Sequence, residues 1–171
     1  LLLLPLLSAV SCGAASPVAP TSQFAQVQGT WTTSSTPTMV TGGECLADNF
    51  QLSVGRENRG TLTINQGGAT VMATLIDQDR TTTVYSGLVS ATSIVLNGAS
   101  CTGCSFATAP CPNNAEERRD VILQATGITG TVDGSTISGT EVGLYNIYAA
   151  GTRTDPLGTL TFNSRFTATR R

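Results

Sequence analysis

Apolar and polar residues alternate along short segments of this chain, and turn-forming residues separate those segments. The residues predicted to point inward along the last segment are Leu160, Phe162, Ser164, Phe166 and Ala168. No long segment has the 3.6-residue apolar period of an amphipathic helix. Glycine accounts for 18 of the 171 residues, and threonine and serine are abundant, which also favours strands and turns. The sequence therefore predicts an all-β fold.

An internal repeat predicts two hairpins. Residues 86–94 and 129–137 share a hydroxyl residue, a glycine and a valine, followed by a small turn and an isoleucine. In the second copy Asp133-Gly134 fits a two-residue type I′ turn, whose central positions need positive φ. Two copies are too few for a solenoid, so the repeat indicates hairpins of a meander.

Strands in the first half of the chain are predicted at residues 26–33, 49–54, 61–64 and 70–77, with a loop at residues 34–44. In the second half, long strands are predicted on both sides of the Asp-Gly turn.

Residues 27–171 are predicted to form one domain, a single antiparallel up-and-down (meander) β-barrel of about eight to nine strands, because short turns join most of the strands. This length can bury a core without a partner chain, so a monomer is expected. The exception is residues 97–119, a long connection without a strand pattern that contains three of the five cysteines.

The charged residues narrow the possible functions. The chain has no histidine, its nine basic residues are all arginine, and its net charge is −2. Imidazole bases, Schiff-base lysines and histidine metal ligands are thereby excluded. No basic face can neutralise phosphates, so nucleic acid is not expected as a partner. We expect no enzyme activity, no catalytic residues, no cofactor and no metal site.

The first residues have the character of an export signal. Residues 1–7 are almost entirely leucine, an apolar run too short to span a bilayer as a helix. The following Ala9-Val10-Ser11-Cys12 resembles the lipobox of bacterial lipoproteins, in which the signal is cleaved before a cysteine whose sulfur has been acylated.

This resemblance implies that residues 1–11 are a signal peptide truncated at its start, that Cys12 carries a lipid such as palmitate, and that residues 12–26 are a flexible linker. It also implies a cell-envelope protein anchored in a membrane, with the outer membrane favoured. The alternative is an ordinary cleaved signal, with Cys12 unmodified and the protein secreted or periplasmic.

The cysteine count agrees with acylation. An odd cysteine in an exported protein must be free, intermolecular or modified. Assigning Cys12 to the lipid leaves Cys45, Cys101, Cys104 and Cys111, which an oxidising compartment would pair into two disulfides. Cys45–Cys101 and Cys104–Cys111 are favoured among the three pairings, because they avoid the tight ring of a Cys-x-x-Cys disulfide. A redox pair lacks its βαβ context and a zinc site lacks a second Cys-x-x-Cys, so both are disfavoured.

The sequence Gly29-Thr30-Trp31 resembles the Gly-x-Trp motif of the calycin barrels, the lipocalins and their relatives. The resemblance implies that Trp31 closes one end of the barrel and that an arginine of the last strand stacks on it. Alternation places Arg170 on the inward face of that strand, so Gly29, Trp31 and Arg170 are the predicted closure residues. The alternative is a tryptophan that simply packs in a β core.

Together the two resemblances imply a non-enzymatic, membrane-anchored module that binds a small apolar ligand inside the barrel. The alternative is a structural or interaction lipoprotein whose barrel is filled by its own side chains, and interior volume separates the two. The carboxylates of Asp77, Asp79, Glu116 and Glu117 are predicted to be solvated turn residues rather than a calcium site or a glycosidase pair.

Overall fold

The computed structural model describes residues 23–98, 101–102 and 107–171. These ranges contain a 3₁₀ turn (Glu44–Leu46), one short helix, α1 (Ala47–Gln51), and ten strands. No helix in them is long and apolar enough to cross a membrane. The strands are β1 (Gly29–Gly42), β2 (Asn58–Gly67), β3 (Thr70–Asp77), β4 (Thr82–Val89), β5 (Ser93–Gly98), β6 (Cys101–Thr102), β7 (Ala107–Cys111), β8 (Asn114–Asp133), β9 (Thr136–Ala149) and β10 (Gly158–Arg170).

Eight of these strands form a closed antiparallel ring. The order around the ring is β1, β2, β3, β4, β5, β8, β9 and β10, and β10 pairs with β1 to close it. Outside the ring, β7 pairs with the first half of β8, and the two-residue β6 pairs with β4. The predicted single up-and-down antiparallel barrel is therefore confirmed.

The first strand is much longer than predicted. The loop predicted at residues 34–44 is wrong, because β1 continues to Gly42 and pairs with β10 along most of its length. Pro37 is accommodated by a register shift between Pro37 and Met39, a bulge where the missing N–H of proline does no harm. The strand predicted at residues 49–54 is also wrong, since α1 and a turn occupy this stretch.

The connection predicted at residues 97–119 contains strands. β7 and the beginning of β8 form a hairpin in which Cys111 lies opposite Asn114. Residues 116–118 are exposed in β8, and from Arg119 onward β8 also pairs with β9. Within the described part of this stretch the predicted irregular loop is therefore wrong. The first residues of β8 are all exposed and show no apolar alternation, although they pair with β7.

The two repeated segments form hairpins as predicted, β4 with β5 and β8 with β9. In the second hairpin Asp133 pairs with Thr136, so the central turn residues are Gly134 and Ser135. Gly134 has a φ of 56°, whereas Ser135 does not adopt positive φ. Positive φ at the first central position alone is the type II′ pattern, so the predicted type I′ turn at Asp133-Gly134 is wrong.

Apolar side chains fill one end of the barrel interior and part of the other. The larger cluster lies at the end where β1 begins, the tryptophan end, and its largest fully buried side chains include Trp31, Leu62, Ile128 and Phe166. The smaller cluster lies at the other end, beneath the 3₁₀ turn and α1, and its buried members are Val40, Leu46, Val121, Ile147 and Leu160. The space between the two clusters is lined by a more polar layer of side chains.

Candidate functional site

The tryptophan end brings the three predicted closure residues together. Trp31 is fully buried and lies opposite Arg170 in the β1–β10 register. The guanidinium carbon of Arg170 is 4.7 Å from the centroid of the Trp31 ring, within cation–π distance. Arg170 also donates a hydrogen bond to the backbone carbonyl of Gln26. Gly29 begins β1 with a φ of 132°, a conformation that favours glycine.

The segment at residues 24–27, just before β1, covers this end of the barrel. The indole N–H of Trp31 donates to the carbonyl of Val27 at 2.9 Å, and Val27 itself is fully buried. The side chain of Gln66 accepts a hydrogen bond from the Val27 N–H at 2.8 Å and donates one to the carbonyl of Ala25 at 2.9 Å. The last residues of the predicted linker therefore pack on the barrel.

A disulfide joins Cys45 in the 3₁₀ turn to Cys111 at the end of β7, with 5.3 Å between the Cα atoms. The favoured pairing, Cys45–Cys101 with Cys104–Cys111, is therefore wrong. The reason is that β7 brings Cys111 against the 3₁₀ turn, whereas β6 carries Cys101 to β4. Cys104 and Cys12 lie outside the described residues, so the predicted acylation site has no structural description.

The polar layer between the two apolar clusters lines a cavity with two adjoining parts, which share lining residues and are open to solvent. The inner part has a volume of about 130 Å³, and the outer part has a volume of about 310 Å³. The outer volume lies at the lower limit of the range typical of small-molecule pockets. Residues that line both parts are Ser35, Asn58, Thr126, Glu141 and Tyr145.

Small side chains at inward positions leave this space open. Along the inward face of β9, Glu141 is followed two residues later by Gly143, which lines the outer part of the cavity. In the neighbouring strands, Ser164 pairs with Glu141 and Thr126 pairs with Gly143. Large apolar residues at these positions would fill the interior, so the cavity results from a glycine and two hydroxyl residues at the level of Glu141.

Glu141 points into the cavity and lines both of its parts. Its Oε2 accepts a hydrogen bond from the Ser35 hydroxyl at 2.6 Å, and its Oε1 accepts a longer one from the Tyr85 hydroxyl at 3.5 Å. Burial raises the pKa of this carboxyl above its ordinary value of 4.5, the two hydrogen bonds oppose the shift, and the nearby charge of Asp77 adds to it. The carboxylate form of Glu141 is therefore costly in this position.

Aromatic side chains surround the carboxyl. Burial, followed by the charge of Glu141, raises the pKa of Tyr85, and the same two causes raise the pKa of Tyr145 to about 12. Both hydroxyls therefore remain protonated near neutral pH and can donate hydrogen bonds. Phe162 packs edge to face against Tyr145 and against Phe50, with 5.6 Å between ring centroids in each pair.

The cavity opens at the end of the barrel opposite Trp31. Exposed polar residues of the turn before β2, with Gln78, form the rim of the opening. On this rim the Arg59 guanidinium lies 2.8 Å from Glu57, and this ion pair lowers the pKa of the Glu57 carboxyl. Arg56 also lines the outer part of the cavity.

The side chains that line the cavity can form hydrogen bonds and ion pairs with a bound ligand. In the ranges that the structure describes, no three histidine, cysteine, aspartate or glutamate side chains come together as a possible metal site. Among the carboxylates singled out in the sequence, Asp77 lines the inner part of the cavity. Asp79, Glu116 and Glu117 are exposed.

No protein-family model, no curated protein and no solved structure matches this chain. Since a β-barrel is compatible with many functions, the cavity and its lining carry the functional inference.

Replacing Glu141 with glutamine is expected to make the protein more stable near neutral pH and to change little in acid. Because folding raises the pKa of this carboxyl, the unfolded chain loses the proton first as the pH rises above 4.5. Between that pH and the folded-state pKa, the free energy of unfolding of the wild type therefore falls by at most about 1.4 kcal/mol per pH unit. The variant lacks this carboxyl, so its free energy of unfolding does not fall in this way.

Urea unfolding between about pH 4 and about pH 8 measures this difference. The other titratable groups near the Glu141 carboxyl are Asp77, Tyr85, Tyr145 and the rim arginines. Wild type and Glu141→Gln both contain these groups. Glu116→Gln, an exposed change of the same kind, should leave the stability profile unchanged. Parallel profiles for wild type and Glu141→Gln would contradict the expectation.

Proposed function

We propose that this protein is a non-enzymatic small-molecule-binding module of the cell envelope, anchored in a membrane by acyl chains on Cys12. The observation that supports ligand binding is the cavity around Glu141, which is open at one end of the barrel and closed by Trp31 at the other. The stacking of Arg170 on Trp31 supports the likeness to lipocalins. The lining favours a small ligand with an apolar body and one polar group, rather than the wholly apolar ligand that the likeness implies.

The two ends of the barrel suit a tethered binding protein. The described chain reaches the barrel through residues 24–27 at the tryptophan end, and the cavity opens at the opposite end. A tether attached at Cys12 would approach from the closed end. The mouth would then face away from the bilayer, where a water-soluble ligand can reach it.

Native mass spectrometry of the protein purified from its host tests the binding function. We expect a retained small molecule on the wild type and its loss from Ser164→Leu, because the larger side chain of a buried cavity residue would occupy the outer part of the cavity. Ser138→Leu is the matched control, since Ser138 lies exposed on the outside of β9. Equal ligand occupancy in wild type and Ser164→Leu would reject the cavity as the binding site.

Replacing Cys12 with serine is expected to release the protein from membranes or to block its processing. A diacylglyceryl group on the cysteine sulfur and an acyl chain on the new N-terminus supply more than the two signals that stable anchoring needs. Serine has no sulfur for the thioether link, so lipid attachment and the cleavage that follows it are both lost. Membrane fractionation of the full-length protein in its host, with mass analysis of the mature N-terminus, measures the change. Unchanged membrane association of Cys12→Ser would refute the anchor.

An interaction module is the second candidate, and one observation supports it. Three exposed apolar side chains lie on the outside of neighbouring strands: Met72 on β3, Leu88 on β4 and Val95 on β5. Leu88 and Val95 are opposite each other in the β4–β5 register. Cross-linking of intact cells, with Leu88→Asp against Thr169→Asp as a control on β10, tests it. Loss of a cross-linked partner only in Leu88→Asp would favour this function over ligand binding.

A further inference from the structure

Acidic side chains outnumber basic ones in the lining of the cavity. Glu141 reaches into the space from β9, and Asp77 lines the same inner part from β3. The basic side chains among the described lining residues are Arg59, which is exposed beside the inner part, and Arg56, which is exposed beside the outer part. Arg59 is already paired with Glu57 at 2.8 Å. The interior therefore presents negative charge, and the positive charge near it is outside and partly neutralised.

The hydrogen bonds of Glu141 leave its carboxylate only partly satisfied. An ionised carboxylate has about four lone-pair directions, and the described hydrogen bonds are one short contact from Ser35 and one long contact from Tyr85. An ionised group in a low-dielectric interior is stabilised most by an opposite charge that also donates hydrogen bonds. A ligand with an ammonium group would supply both the opposite charge and the hydrogen-bond donors.

The rest of the lining suits the apolar part of such a guest. The rings of Tyr145 and Phe162 pack against each other beside the carboxyl, and Phe166 lines the inner part. Aromatic faces attract organic cations as well as apolar groups. A bare metal ion would need more carboxylate or cysteine ligands, and in the described part of the chain no group of three comes together.

We propose that the cavity takes a small organic cation, an amine or quaternary ammonium ion with a compact apolar body, whose charge lies against the carboxylate of Glu141. This inference rests on the proposed binding function and names the class of its ligand. Binding requires ionised Glu141, so affinity falls as the pH drops and the carboxyl becomes protonated. Asp77, Tyr85 and Tyr145 face the same carboxyl, and the two tyrosines, whose pKa values are raised, stay neutral as the pH drops.

Isothermal titration with three probes of one shape tests the proposal: benzylammonium, benzyl alcohol and benzoate. We expect benzylammonium to bind about tenfold to a hundredfold more tightly than benzyl alcohol, the range of a hydrogen bond to a charged group. Glu141→Gln should reduce this ratio to about one, and Glu116→Gln should leave it unchanged because Glu116 is exposed on β8. Circular dichroism verifies that both variants fold.

Each other outcome overturns the inference in a recognisable way. Equal affinity for benzylammonium and benzyl alcohol, or a ratio that survives in Glu141→Gln, shows that the charge of Glu141 does not select the ligand. Preference for benzoate would assign recognition to the rim arginines. In these cases the cavity still binds small molecules, so the proposed function stands without the cation. If no probe binds, the inference fails, and the Ser164→Leu comparison by mass spectrometry decides separately whether the binding function fails with it.

Discussion

Replacing Trp31 with alanine is expected to lower the free energy of unfolding by about 3–5 kcal/mol. The side chain is fully buried in the larger apolar cluster, and its indole N–H is bonded to the carbonyl of Val27 at 2.9 Å. Truncation leaves a large void at the closed end and removes the ring on which Arg170 stacks. Denaturant unfolding monitored by circular dichroism measures the loss of stability. Tryptophan fluorescence cannot serve, because Trp31 is the chain's single tryptophan and the variant lacks it.

Thr41→Ala is the control for this experiment, because Thr41 is exposed on the same strand, and it should change the stability by no more than about 0.5 kcal/mol. Arg170→Ala should cost less than Trp31→Ala. A double-mutant cycle between the two should give a coupling of about 0.5–2 kcal/mol for the stacked pair. A Trp31→Ala variant within about 1 kcal/mol of wild type would show that the closed end is not a core of the fold.

Removing the disulfide between Cys45 and Cys111 by a double serine substitution is expected to cost about 4 kcal/mol. The bond closes a long loop, with 66 residues between its ends in sequence, and restricting a loop of this length in the unfolded chain accounts for the estimate. It also ties the 3₁₀ turn, which covers the smaller apolar cluster, to β7. Urea unfolding of the oxidised proteins measures the difference.

The double serine variant of Cys101 and Cys104 is the comparison. With Cys45 and Cys111 joined, pairing in an oxidising compartment leaves these two for each other, and the small ring they would close should contribute only about 2 kcal/mol. Thiol titration of the folded, exported wild type should therefore find no free cysteine. Equal losses in the two double variants would contradict the loop-length explanation.

The barrel could be predicted because its strands keep their alternation. In β10 the inward residues Leu160, Phe166 and Ala168 are buried as the sequence indicates, and the repeated hairpins pair as expected. Prediction failed where polarity hides the alternation. The serine and threonine residues in the middle of β1 and the charged residues at the start of β8 carry no apolar signal. Their strands are set by pairing with β10 and with β7, respectively.

The site was less predictable than the fold. The adjacent carboxylates Glu116 and Glu117, which stand out in the sequence, are exposed in the structure. The carboxyl that lies in the cavity is that of Glu141, which has no acidic neighbour in sequence. The signal that could have found it is its inward position in a predicted strand, between Gly139 and Gly143. The disulfide could not be derived from spacing, because it depends on how the 3₁₀ turn and β7 meet in three dimensions.

Closure of the ring through β1 and β10 has a consequence for the order in which the chain can fold. The two strands are far apart in sequence, and Thr32 and Arg171, which are bonded across the seam, are separated by 139 residues. Until β10 has been synthesised, one edge of β1 has no partner, and an unpaired edge is a template for strands of other chains. Contacts of such long range also slow folding. A partly folded chain that lacks β10 would therefore expose one edge of β1, and only pairing with the last strand covers that edge.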